Sequence, residues 1–193
     1  MIIGWTESMV RINRSLRGEN SKMENSNKKK FFNLTKLLFI IYCVLLVWII
    51  LLKLSFSIDD IMSLDRFRRI NLIPFYYPNE VNSHFSEVIE NLLIFVPFGI
   101  YLKMLNKGNK KIILYGFLFS LVLEISQFIF KIGATDITDL ITNTVGTVIG
   151  VFGYILLEKI FRNKEKINKV LKILALVVTI LFCLMMLLLI IAN

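Results

Sequence analysis

IILYGFLFSLVLEISQFIF, residues 112–130, is an apolar run of bilayer-crossing length with a carboxylate, Glu124, and an amide, Gln127, well inside it. At about 1.5 Å of rise per residue, roughly 18 apolar residues cross the hydrocarbon core of a bilayer. An ionised carboxylate placed there costs about 2.5–3.5 kcal/mol on insertion scales, so it persists only with a partner or a task. The run reads as a transmembrane helix, and its polar residues mark where function is to be sought.

Four more stretches meet or approach the same length: about residues 34–52, 88–105, 138–157 and 173–192. Composition agrees, because 56% hydrophobic and 19% charged residues in a 193-residue chain are oilier than a soluble domain. The expected fold is all-α: a polytopic membrane protein built as a bundle of five transmembrane helices. Residues 1–33, charged and rich in Asn and Ser, are expected to be a disordered tail, with Met23 as an alternative start. Residues 34–160 then form the membrane domain, with a loop at 53–87, and residues 161–193 a basic turn and the fifth helix. The 16-residue apolar run at 37–52 is longer than the core of a cleaved signal sequence, and no A-x-A site follows it. Cys43 and Cys183 fall near mid-span and read as small packing residues.

A net charge of +9 in a soluble chain would point to nucleic acid. Here the placement of the charge points to orientation instead. Of the 23 Lys and Arg residues, 18 lie before the first span or in the turns after the second and fourth. The other five, Lys53, Arg66, Arg68, Arg69 and Lys131, lie on the opposite side. By the positive-inside rule the N-terminus is expected in the cytoplasm and the 53–87 loop outside. In that loop Phe75, Tyr76 and Tyr77, bracketed by Pro74 and Pro78, read as an interfacial anchor. The alternative is a lip over a site, with Arg66, Arg68 and Arg69 attracting phosphate. His84, the single histidine, reads as an exposed loop residue.

Helical rise brings the polar residues of three spans to one layer. Glu124 lies about 10 Å inside the outer boundary, Gln127 about 6 Å, Asn143 about 9 Å and Asn91 about 5 Å, with Asp136 and Asp139 at the boundary itself. Glu124 and Gln127 share a helical face, as do Asp136, Asp139 and Asn143. Asn91, Glu124, Gln127, Asp136, Asp139 and Asn143 are therefore the candidate lining of an outward-facing polar pocket. The competing reading is interhelical glue, at about 0.6 kcal/mol per pair. Gly146, Gly150 and Gly153 continue the Asp/Asn face, and Gly146-x-x-x-Gly150 is the spacing that lets another helix approach closely. Pro97 cannot donate to the carbonyl of Leu93, which would bend its helix and expose an acceptor near Asn91. No catalytic constellation, metal or cofactor is expected. Asp136, Asp139 and Glu124 would suit a hard cation chemically, but their spacing does not call for one.

The ordered blocks NLLIFVPFG at 91–99, EISQ at 124–127 and DITDLITNTVGTVIG at 136–150, with NLIPF at 71–75 upstream, resemble the VanZ-like family of bacterial membrane proteins. The resemblance covers about residues 40–157. Many members carry an arginine a few residues before the aspartates. Here Gly133, Ala134 and Thr135 stand there, so an arginine-dependent role is not carried over. The resemblance implies a multi-pass protein of the bacterial plasma membrane that lowers susceptibility to glycopeptides such as teicoplanin, and it implies no reaction. Pro97, Gly99, Gly146 and Gly150 are the expected packing positions. Expected partners are the bilayer and lipid-linked envelope precursors, and no nucleic acid. Two other activities fit a polar pocket in principle: an enzyme acting on lipid-linked headgroups, and a small proton-coupled transporter with Glu124 as relay.

Overall fold

Within hydrocarbon every backbone N–H and C=O must be matched inside the protein, and a helix does this residue by residue. In a computed structural model of the chain, which describes residues 2–52, 69–75, 81–131 and 134–192, each apolar run is helical. The elements are α1 (Ile2–Leu52), β1 (Arg69–Asn71), α2 (Val81–Met104), α3 (Asn109–Phe130), β2 (Ala134–Asp136), α4 (Ile137–Phe161) and α5 (Lys164–Ala192). Among the described residues five helices are long and apolar enough to cross a membrane: Phe32–Leu51, Phe85–Met104, Asn109–Phe130, Ile137–Phe161 and Lys164–Met185. The architecture is the expected all-α bundle of five membrane-crossing helices.

The helices start earlier than their apolar runs. The stretch expected as a disordered tail is helical from Ile2, α2 begins at Val81 and so takes in His84, and α5 begins at Lys164. Extending a helix that already exists costs far less than nucleating one, so polar flanks without proline continue the turn. Arg66, Arg68, Tyr76 and Tyr77 lie outside the described residues. The chain divides into two units, Met1–Leu37 and Leu38–Asn193. In the first, the Lys36 ammonium sits 4.6 Å from the Phe32 ring centroid, a cation–π contact.

In the second unit α2 packs most closely on α4, and glycine makes that approach feasible. A Cβ on Gly150 would stand 2.1 Å from the Val96 carbonyl oxygen, and one on Gly99 2.2 Å from that of Thr147. One on Gly146 would stand 2.2 Å from the Leu92 oxygen. Gly153, expected to extend this face, has nothing within 4 Å of such a Cβ, so the close approach is confined to the crossing. Gly116 of α3 faces the Thr147 side chain in the same way, at 2.4 Å. Around the crossing Leu46, Phe95, Phe98, Leu102, Ile112, Leu123 and Val151 form one buried cluster. Phe98 stacks on Phe119 at 5.3 Å between centroids and meets Phe39 edge-on at 5.4 Å. Lipid is as apolar as these side chains, so contact packing and interhelical hydrogen bonds hold the bundle rather than exclusion of water.

At the end of the bundle where α3 stops and α2 and α4 begin, β1 and β2 pair in parallel, Ile70 opposite Thr135 and Asn71 opposite Asp136. This strand pair, absent from the all-helical expectation, is the cover of the candidate site.

Candidate functional site

Lys131 ends α3 in the left-handed conformation, its N–H returning to the Gln127 carbonyl. The chain then reverses through β2 into α4. Asp136 is the N-cap of α4, its Oδ1 accepting from the Thr138 N–H at 2.7 Å. Its Oδ2 accepts from Asn71 Nδ2 at 3.1 Å, which ties β1 to the start of the helix. Its own backbone N–H donates to Glu124 Oε2 at 3.0 Å. One residue thus caps a helix, anchors a strand and orients the intramembrane carboxylate. A helix cap of this type contributes about 1 kcal/mol.

The neighbouring residues complete the arrangement. Thr135 Oγ1 donates to the Glu124 carbonyl at 3.2 Å, and the Phe75 N–H donates to Thr138 Oγ1 at 3.1 Å. Phe75 itself is exposed and left-handed, with φ 56°. Asn91 Nδ2 donates to Asp139 Oδ1 at 2.7 Å, joining α2 to the first turn of α4. Deeper in, Asn143 Nδ2 donates to Ser120 Oγ at 2.9 Å, joining α4 to α3. Gln127 Nε2 reaches the Ile50 carbonyl of α1 at 3.4 Å, a long and weak contact.

The six expected pocket residues therefore come to one end of the bundle, engaged as Asn91 with Asp139, Glu124 with Asp136, Asn143 with Ser120, and Gln127 with α1. Glu124, Gln127 and Asn143 are buried. Gln127 Oε1 and Asn143 Oδ1 are buried acceptors with no hydrogen-bond donor among the described residues. Each unmatched buried group costs about 1–3 kcal/mol. No group of three His, Cys, Asp or Glu residues converges as a metal cluster among the described residues. The end of the bundle is thus rich in acceptors, and it suits a partner that brings donors or positive charge.

Pro97 lies on another face. It lines an apolar cavity of about 320 Å³ with Tyr42, Leu46, Ile94, Leu174 and Phe182, between α1, α2 and α5. Near the proline, the Tyr42 hydroxyl donates to the Ile94 carbonyl. That carbonyl is the neighbour of Leu93, whose oxygen is the one Pro97 leaves without a helical donor. Asn71, Ser120, Thr135 and Thr138 were not among the expected site residues. Asn71 was legible only as part of the NLIPF block, and Ser120 only as a polar position one turn before Glu124.

Comparison with known proteins adds the remaining finding. Residues 39–162 match the VanZ/LLP1 family. The chain is 43% identical over 142 residues, 71% of its own length and 83% of the other's, to "Protein VanZ" of Enterococcus faecium. No solved structure matches it.

Proposed function

The chain belongs to the VanZ-like family, and from that premise we propose that it is a plasma-membrane protein of the bacterial envelope that lowers susceptibility to glycopeptides such as teicoplanin. In this reading the N-terminus is cytoplasmic, and the end bearing β1 and β2 faces outward. That end engages the headgroup of a lipid-linked envelope precursor, whose hydroxyl and amide groups supply the donors. The observation that carries the reading is the acceptor-rich layer of Glu124, Asp136, Asp139, Asn143 and Gln127 directly under the strand pair. A purely structural layer would have its acceptors matched within the protein, and two of these have no donor among the described residues.

The test is expression in a susceptible Gram-positive host. The inhibitory concentration of teicoplanin should rise more than that of vancomycin. Glu124→Gln and Asp139→Asn keep size and hydrogen-bonding capacity, and each should abolish the rise at wild-type membrane abundance. Glu124→Leu strips the Asp136 N–H of its acceptor and should lower abundance as well. An unchanged response to both drugs, with the protein present in the membrane, removes resistance from the reading. A fully active Glu124→Gln variant removes the functional carboxylate.

A further inference from the structure

The seam between α3 and α4 holds buried oxygen atoms, and two of them have no donor among the described residues. Asn143 is 1% exposed and Ser120 0%. With Asn143 Nδ2 committed to Ser120 Oγ, Oδ1 of the same amide is left without a donor among the described residues. One helical turn along the same face of α3 stands Glu124, 3% exposed, its Oε2 fixed by the Asp136 N–H. Gln127 follows on that face, with Oε1 likewise without a donor among the described residues. Ser120, Glu124 and Gln127 thus share one face of α3, with Asn143 bonded to the first of them, and their oxygens are all hard donors of the kind that ligate hard cations.

We propose that Glu124, Asn143 Oδ1 and Ser120 Oγ, with Gln127 Oε1 at the rim nearest the strands, form a buried site for a dehydrated monovalent cation of sodium size. The charge balance selects the class. One carboxylate among neutral oxygens neutralises one positive charge, whereas calcium sites draw on several carboxylates and magnesium retains much of its water. Asp136 and Asp139 are engaged with Asn71, Thr138 and Asn91, so they add field to the site rather than ligands. Because the Asp136 N–H positions the Glu124 carboxylate, the cation also braces the strand cover against the helical seam. The site shares Glu124, Asn143 and Gln127 with the headgroup reading. Its readout is the melting of purified protein rather than the susceptibility of cells, so either idea can fail without the other.

The experiment is thermal unfolding of the full-length protein in neutral detergent, in sodium chloride or choline chloride at equal ionic strength. Sodium should raise the midpoint saturably, by about 5–10 °C at roughly a hundredfold excess over its Kd. Glu124→Gln and Asn143→Leu should abolish the sodium effect, and Ser120→Ala should weaken the apparent sodium affinity without removing the fold. Ser126→Ala, at a hydroxyl that bonds only its own helix backbone, should retain the full effect. Wild-type midpoints equal in sodium and choline would overturn the proposal. So would an unchanged sodium effect in Ser120→Ala together with Asn143→Leu. Stronger protection by magnesium or calcium would overturn the monovalent assignment.

Discussion

Replacing Gly146 by alanine adds one methyl group at the point where α4 lies closest to the backbone beside Asn91. The new Cβ would stand 2.2 Å from the Leu92 carbonyl oxygen, 3.1 Å from its carbon and 3.0 Å from the Phe95 Cβ. Ordinary contact begins at 3.4 Å, so the shortfall against the oxygen is about 1.2 Å. That oxygen belongs to a helix backbone, so no rotamer change relieves the clash, and α2 and α4 must separate by about 1 Å. Overpacking of this kind costs about 1–3 kcal/mol. It is opposed by a helix-propensity gain of about 1 kcal/mol for glycine to alanine. Gly153→Ala receives the same gain with nothing within 4 Å to meet the methyl group, so the difference between the two variants isolates the clash. In thermal melts in detergent, Gly146→Ala should therefore unfold about 2–12 °C below Gly153→Ala, at about 2–4 °C per kcal/mol for a chain of this size. The site should follow. The bond from Asn91 to Asp139 crosses the same interface at 2.7 Å, and a separation of about 1 Å takes it out of hydrogen-bonding range. Equal melting of the two variants would refute the close backbone approach and the account of the site built on it.

Orientation is checked by single cysteines in a Cys43→Ala, Cys183→Ala background: Leu72→Cys should react with an impermeant thiol reagent on intact cells, and Lys107→Cys only after lysis. Labelling of Lys107→Cys in intact cells would invert the topology. Asp136→Ala removes the cap of α4 and the partner of Asn71, at about 1 kcal/mol each, and should lower the melting point by about 4–8 °C. Asp136→Asn, an equally good cap whose Nδ2 cannot accept from Asn71, should recover about half of that loss, and an alanine variant as stable as wild type would remove Asp136 from its organising role.

Much of the fold is legible because a bilayer imposes a length, and five runs of about that length are visible in the sequence. The ends of the helices are less legible because hydropathy registers lipid rather than backbone conformation. The polar turns before Phe85 and the basic turn at Lys164 are as helical as the apolar residues after them. Glycine spacing was informative only in part. Gly146 and Gly150 meet the backbone of α2, where Gly99 offers a matching hollow. Gly153 sits on the same face, but the helices are no longer close enough there for it to matter. A facing glycine on another helix is a relation that spacing along one helix does not contain.

The site divides along the same line. Carboxylates and amides inside apolar runs stand out because they are costly, and rise per residue suffices to put them in one layer. Their partners do not stand out. Asp136 is matched to Asn71 by a three-residue parallel pair between segments 65 positions apart, too short to carry a strand pattern. If every acceptor in the layer had found a donor, structure alone would have accounted for the layer. Asp136, Asp139 and Glu124 do find donors, and these hold the end of the bundle together. Asn143 Oδ1 and Gln127 Oε1, on either side of Glu124 along the seam, find none among the described residues. On the proposed reading the layer is glue at its rim and a binding place at its centre, and it is the centre that Glu124→Gln, Asn143→Leu and the sodium melts interrogate.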